Sequence, residues 1–266
     1  MTNLIAAIIL GVVQGLTEFL PVSSTGHLIL FEHWLGVSER TFGLSFDVAL
    51  HVGTALALIL IFWKDIKQIV KESAKHFPSP LLLSLIIGTI PAGIAGLLLE
   101  KKVDHAFRTP QLVAWSLLLF SGLLTIGDYL GKKKKEINPK HISGGQAFII
   151  GLFQAIAIIP GVSRSGSTIT GGLIVGQDRT SASRFAFLLS IPIILLAGAK
   201  QGLHVVTSGM LFSPNQLLFF IVGFATAFIV AYFTVKWFLQ FFQKYGFLPF
   251  VIYRVLIAVF ILVLMK

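Results

Sequence analysis

A hydroxyl, an imidazole and a carboxylate stand close together near the start of this chain, in a pattern suited to breaking a bond to phosphorus. In QGLTEFLPVSSTGH, Ser24 supplies a nucleophile and His27 follows three residues later, on the same face if the segment is helical. Histidine is the side chain best able to exchange a proton near neutral pH. Glu18 lies just upstream, an ionisable group in apolar surroundings that needs a partner, a water-filled cavity or a task. Its candidate partners are a metal ion, His27 or Arg164. Ser23, Ser24 and Thr25 sit where a helix would restart after Pro21, and the free N–H groups and dipole of a helix start attract anions. Far along the chain, PGVSRSGST supplies a complementary charge. Arg164 is a permanent cation whose planar fork suits phosphate oxygens. It is flanked by Ser163, Ser165, Ser167 and Thr168 as hydroxyl donors, with Gly161 and Gly166 where backbone can approach closely. One stretch is equipped to react and the other to grip.

The two stretches are copies of one another. GVVQGLTEFLPVSSTGHLIL (11–30) aligns without a gap on GLFQAIAIIPGVSRSGSTIT (151–170), pairing Gly11 with Gly151, Gln14 with Gln154, Val22 with Val162, Ser23 with Ser163 and Gly26 with Gly166. Ser24 aligns with Arg164, and Glu18 with Ile158, so the copies have diverged in side chain while keeping their Pro, Gly and Ser punctuation. Proline removes a backbone donor and clashes with the preceding turn. Each copy is therefore expected to be a re-entrant helix–turn–helix, which a membrane tolerates where protein or a water-filled cavity covers the turn. Broken apolar segments at matching positions in two halves point to a binding site at the repeat interface.

The elements that position these residues follow from composition. The 266-residue chain is 55% hydrophobic and 12% charged, with a mean hydropathy of +0.88, far from the roughly 25% charged residues of a soluble domain. It is read as an all-α integral membrane protein. Six stretches, 46–63, 81–99, 112–130, 184–199, 217–236 and 248–264, approach the length that crosses a bilayer as a helix. The duplication continues more weakly: SFDVALHVGTALAL resembles RFAFLLSIPIILLA, and LIIGTIPAGIAGLL resembles FIVGFATAFIVAYF. The expected architecture is a single membrane domain, 1–266, made of two halves of roughly 1–135 and 146–266. Each half holds three crossings and one re-entrant segment, and an odd number of crossings makes the repeat an inverted one.

Lysine and arginine set the orientation. The loops 64–80, 131–146, 174–184 and 237–247 carry Lys64, Lys67, Lys71, Lys75, the four lysines at 132–135, Lys140, Arg179, Arg184 and Lys244, with Lys236 at their border. The opposite side has Arg40, Lys101, Lys102, Arg108, Lys200 and Lys266. The positive-inside rule makes the first side cytoplasmic, so both termini and the first re-entrant loop face outward. The net charge of +10 is thereby spent on membrane anchoring, and nothing supports nucleic acid binding. With no cysteine present, disulfide and thiol chemistry are excluded. Arg254, in the last span, is placed outside the site, paired with a carboxylate or a headgroup at the interface.

QGLTEFLPVSSTGH and PGVSRSGSTITGGL resemble the two signature motifs of the bacterial undecaprenyl-diphosphate phosphatases, also called bacitracin-resistance proteins. The similarity extends to FDVALHVGTALALILIFWKD, IIGTIPAGIAGL, SRFAFLLSIPIILLAG and FLPFVIYRVLIAVFIL, nearly the whole chain. The resemblance implies an enzyme of the bacterial cell membrane whose site faces the outer leaflet. It would remove the terminal phosphate of undecaprenyl diphosphate and recycle the lipid carrier of peptidoglycan synthesis. It implies Ser24 as nucleophile, Glu18 as an essential acid and His27 as an aid to proton transfer. Arg164, Ser163, Ser165, Thr168, Ser23, Thr25 and Gly166 would bind the diphosphate. It also implies a divalent cation, Mg2+ or Ca2+, with Glu18 and Gln14 as ligands. Glutamate often begins the family's first motif; Gln14 stands there instead, and its amide oxygen can still ligate a hard cation. Asp47 and His51, one turn apart, are secondary candidates for lining the pocket.

Two chemistries fit these residues. In one, Ser24 attacks the terminal phosphorus and water resolves a phosphoseryl intermediate; in the other, water attacks and Ser24 serves as a ligand. A membrane phosphatase class built on PSGH and SR-x5-H motifs is excluded, because the required histidine position holds Thr170. A lipid flippase or transporter is the alternative function, since inverted repeats with broken helices are a transporter architecture. Partners are the lipid substrate and the bilayer, and a homodimer is left open.

Overall fold

A computed structural model describes residues 3–107, 109–131 and 142–264. The lysines at 132–135, Lys140, Arg108 and Lys266 lie outside the described residues, as do the side chains of Arg40, Lys101 and Lys102. Twelve helices and no strand occur among the described residues: α1 Asn3–Thr17, α2 Ser24–Leu35, α3 Glu39–Phe42, α4 Leu44–Ile61, α5 Trp63–Lys75, α6 Pro80–Phe107, α7 Pro110–Gly131, α8 Gly144–Ile156, α9 Arg164–Ile174, α10 Arg179–Thr207, α11 Pro214–Tyr245 and α12 Leu248–Leu264. Five of these, α4, α6, α7, α10 and α11, are long and apolar enough to span a bilayer. The last expected crossing forms α12, whose 17 residues reach about 25 Å at 1.5 Å per residue, slightly short of the hydrocarbon core. The chain is an all-α, multi-pass membrane protein. Its exposed surface is apolar, with Leu97, Leu119, Ile221 and Phe233 all facing outward, as a surface solvated by lipid rather than water requires.

Local sequence explains where the helices start. Ser143 and Ser213 each open a helix with a reciprocal capping box, their hydroxyls accepting from the Gln146 and Gln216 amides while those glutamines accept from the serine N–H groups. Asp178 caps α10 by accepting from the Thr180 and Ser181 amides.

Both proline-interrupted segments form a helix, a turn and a second helix. Each returning helix is preceded by a serine in the left-handed region, Ser23 at φ 72° and Ser163 at φ 75°, the two non-glycine residues with positive φ among those described. Each also caps its helix through the same bond, from Gly26 N to Ser23 Oγ and from Gly166 N to Ser163 Oγ. A left-handed non-glycine residue costs about 1 kcal/mol or more, and it recurs here at aligned positions of the two similar segments, which share a backbone shape.

The two broken segments pack on helices from distant parts of the chain. Helix α1 packs on α11, and α8 on α6. A methyl added at Gly11 would lie 2.7 Å from the Gly223 carbonyl, and one at Gly151 would lie 2.5 Å from the Gly88 carbonyl. Gly88 and Gly223 occupy the same position in the matched segments LIIGTIPAGIAGLL and FIVGFATAFIVAYF. Each broken segment thus leans on a glycine at the same position of the two matched segments.

The described parts of the loops 64–80, 174–184 and 237–247 meet at one end. Arg184 donates to Asp65 at 2.7 Å, joining the starts of α10 and α5. Arg179 donates to Asp128 near the end of α7 and to the Gln243 carbonyl near the end of α11. Ser84 of α6 donates to the Ile142 carbonyl ahead of α8.

Candidate active site

Where the two turns meet, a single carboxylate collects the chemistry. Glu18 follows the last turn of α1 and is buried. Its Oε2 accepts from Gln14 Nε2 at 2.8 Å and from the Ser24 hydroxyl at 2.6 Å, and lies 2.9 Å from His51 Nδ1. Its Oε1 meets the Arg164 guanidinium. Gln14 stands one turn before Glu18 on α1, Ser24 is the first residue of α2, Arg164 the first of α9, and His51 comes from α4. Sequence reasoning had Arg164 among three partners for Glu18, and the ion pair is the contact that forms. His51, a secondary candidate, lies within the cluster. Its Nδ1 also sits 2.8 Å from Gln14 Nε2; a bare nitrogen facing a carboxylate oxygen would be repelled, so the assignment that satisfies the carboxylate has Nδ1 carry the hydrogen.

His27 points elsewhere. Its Nδ1 lies 2.8 Å from the Ser23 carbonyl and its Nε2 lies 2.7 Å from the Tyr253 hydroxyl, with the two rings stacked. A carbonyl can only accept, so Nδ1 carries a hydrogen, and the bare Nε2 of the neutral ring accepts from Tyr253. The Ser24 hydroxyl is donated to Glu18, not to His27. Although three residues apart on one helix, they diverge because the Ser23 carbonyl at the helix start captures the imidazole.

The hydroxyls expected to grip phosphate are largely committed to the turns. Ser165 donates to the Leu20 carbonyl at 3.0 Å, so its 3.2 Å contact with Ser163 must be a bond donated by Ser163. Thr168 donates back to the Arg164 carbonyl of its own helix. Ser23 Oγ accepts from Gly161 N at 3.1 Å, binding one turn to the other. Gly166 is where α9 passes Pro21, 3.1 Å from where an added methyl would stand. Thr25 is half-buried in the first turn of α2, and its hydroxyl makes no hydrogen bond among the described residues. What remains for an anion is Arg164, the Thr25 hydroxyl and the first two amides of α2 and α9, ahead of the capped Gly26 and Gly166.

Arg254 requires a correction. It is neither paired with a carboxylate nor at an interface: it is fully buried and donates to the carbonyls of Pro21, Gly161, Val162 and Leu117 and to Ser121 Oγ. Proline and glycine break the helices at both turns, and the guanidinium satisfies carbonyls that a continuous helix would have satisfied itself.

Comparison with known proteins bears on what this arrangement serves. The family model for bacitracin resistance protein BacA matches residues 7–260. The chain belongs to this family. It is 41% identical over 263 residues to an undecaprenyl-diphosphatase of Marinobacter nauticus, covering 96% of this chain and 97% of that protein. It is 43% identical over 264 residues to an undecaprenyl-diphosphatase of Thermodesulfovibrio yellowstonii, covering 99% and 98%. A third, from Trichlorobacter lovleyi, is 41% identical over 271 residues, covering 99% and 97%.

For this BacA family member the implied divalent cation can be tested against the donors present. Gln14 Oε1 is buried and has no hydrogen-bond partner among the described residues. It lies on the side chain whose amide touches Glu18, which puts two hard oxygen donors on adjacent groups. No group of three or more His, Asp or Glu side chains with metal-binding geometry occurs among the described residues. That donor set fits a cation which takes most of its ligands from water and substrate phosphate, as Mg2+ does.

Proposed function

We propose that this chain hydrolyses undecaprenyl diphosphate to undecaprenyl phosphate and inorganic phosphate, recycling the lipid carrier of peptidoglycan synthesis and thereby conferring bacitracin resistance. The observation that carries the proposal is the Ser24 hydroxyl donated at 2.6 Å to a carboxylate that also faces Arg164. A nucleophile, its base and a phosphate-binding cation thus share one buried point.

In the proposed mechanism Glu18 accepts the Ser24 proton as Oγ attacks the terminal phosphorus. The bond from that phosphorus to the bridging oxygen breaks, and undecaprenyl phosphate leaves. Arg164 turns from Glu18 to the phosphoryl oxygens, where charge builds in the transition state. Water then attacks the phosphoserine, the Oγ–phosphorus bond breaks, and Ser24 regains a proton. His27 stays neutral and holds the Ser23 carbonyl, fixing the start of α2. The amides of α2 and α9 receive the diphosphate. Gln14 and Glu18 would hold a Mg2+ or Ca2+ ion, which when bound neutralises diphosphate charge.

The same proposal places the protein in the bacterial cell membrane as two inverted halves, with the site reached from the outer face. The reciprocal leaning of α1 and α8 and the gathering of the basic loops at one end support it. Purified protein is expected to release phosphate from undecaprenyl diphosphate, and labelled phosphate to be trapped on Ser24. Ser24→Ala is expected to lose turnover by about 10³-fold or more. Wild-type turnover by Ser24→Ala would remove the serine from the chemistry, and lipid movement between leaflets without phosphate release would overturn the activity.

A further inference from the structure

We propose that Arg254 is a positioning residue for this reaction, the device that sets the two re-entrant turns in register so that Ser24 and Arg164 meet at Glu18. The alignment that pairs Gly11 with Gly151 also pairs Pro21 with Gly161 and Ser24 with Arg164. One nitrogen of Arg254 donates to the Pro21 carbonyl at 3.1 Å and the other terminal nitrogen donates to the Gly161 carbonyl at 3.0 Å. A single planar fork therefore grips the equivalent point of both copies, in each case three residues before the side chain that does the chemistry.

The rest of the guanidinium is anchored in a third element. Nε donates to Ser121 Oγ at 3.1 Å and Nη2 to the Leu117 carbonyl at 3.2 Å, tying the turns to α7. Gly161, at φ +93° and with the Val113 carbonyl 2.6 Å from where a methyl would stand, is wedged against the same helix. The neighbouring Tyr253 holds His27, which holds the Ser23 carbonyl. Two consecutive residues of α12 thus fix the first turn from both sides.

The charge has a consequence as well. A buried cation in hydrocarbon is costly, and every acceptor on Arg254 is neutral. Glu18 and Arg164 pair with one another, and Arg254 brings to the two turns a positive charge whose hydrogen-bond acceptors are neutral, to which an anionic diphosphate is a complement. A peptide plane holds its C=O and N–H on opposite sides. Drawing the Val162 carbonyl toward Arg254 at 3.3 Å therefore turns the Ser163 amide away from it.

This inference rests on the phosphatase activity proposed above, and the experiment separates the two. Arg254→Lys keeps the charge but cannot span both turns. In detergent-solubilised full-length protein it is expected to lower kcat about 100-fold, the cost of roughly an ångström of misplacement, with KM changed by less than about threefold. Hydrogen–deuterium exchange is expected to rise about tenfold in peptides covering 19–23 and 158–163 while α4 and α11 stay protected. Ser121→Ala, which removes one acceptor and leaves the guanidinium in place, should reproduce the same pattern at several-fold size and decides the matter if Arg254→Lys does not fold. Unchanged exchange in both turns overturns the proposal, and so does loosening spread evenly over the helices. If wild-type protein releases no phosphate, the activity is wrong and the exchange arm alone judges Arg254.

Discussion

At the scale of single residues, the site is organised around one carboxylate on a turn that four other side chains address from four helices. Glu18→Gln keeps its volume and removes its charge. Ser24 then lacks an acceptor able to take its proton, and kcat is expected to fall about 10³-fold. Arg164, no longer held by a carboxylate, should bind inorganic phosphate more tightly than in the wild type. Turnover and phosphate titration check the two halves of this prediction, and unchanged turnover would place the base elsewhere. His51→Ala removes one donor from Glu18 Oε2. A hydrogen bond to a charged group contributes about 1.5–3 kcal/mol, so turnover is expected to drop about tenfold to a hundredfold, read from kcat/KM.

At the scale of elements, the turns are positioned by how closely α1 and α8 approach their partners in the other half. Gly11→Ala and Gly151→Ala each put a methyl within 2.7 Å of a facing carbonyl, whereas Gly93→Ala meets no atom within 4 Å. The first two should separate their helix pairs at about 1–3 kcal/mol each, lowering both the melting temperature in detergent and the turnover. The third should change neither, and equal behaviour of all three would show that this packing does not hold the turns. These elements were largely legible in the sequence. Long apolar runs announce spans, and proline followed by small hydroxyl residues within such a run announces a break. The Glu18–Arg164 contact was legible only as one of three candidates, beside a metal ion and His27, because a buried carboxylate needs some partner without its sequence naming which. The partners of Arg254 were not: its acceptors are backbone carbonyls, which every residue carries. The direction of His27 was equally hidden, because helical spacing cannot show that the Ser23 carbonyl competes for the imidazole.

At the scale of the whole molecule, the proposed repeat would explain how one chain brings unlike chemistries together. Two copies of a turn supply two helix starts facing a shared point, and divergence at one aligned position places serine in one and arginine in the other. The same duplication predicts opposite exposure of the two ends. Lys67 is exposed on α5, at the end where Arg184 meets Asp65, and Leu211 is exposed between α10 and α11. The natural chain has no cysteine, so single cysteines at these positions can be labelled without background. With the lysine-rich end in the cytoplasm, as proposed, a membrane-impermeant maleimide is expected to label Leu211→Cys in intact spheroplasts, and Lys67→Cys only after permeabilisation. The reverse pattern would turn the protein over and put the basic loops outside. Labelling of both in intact cells would break the orientation altogether and leave the outward-facing site without support.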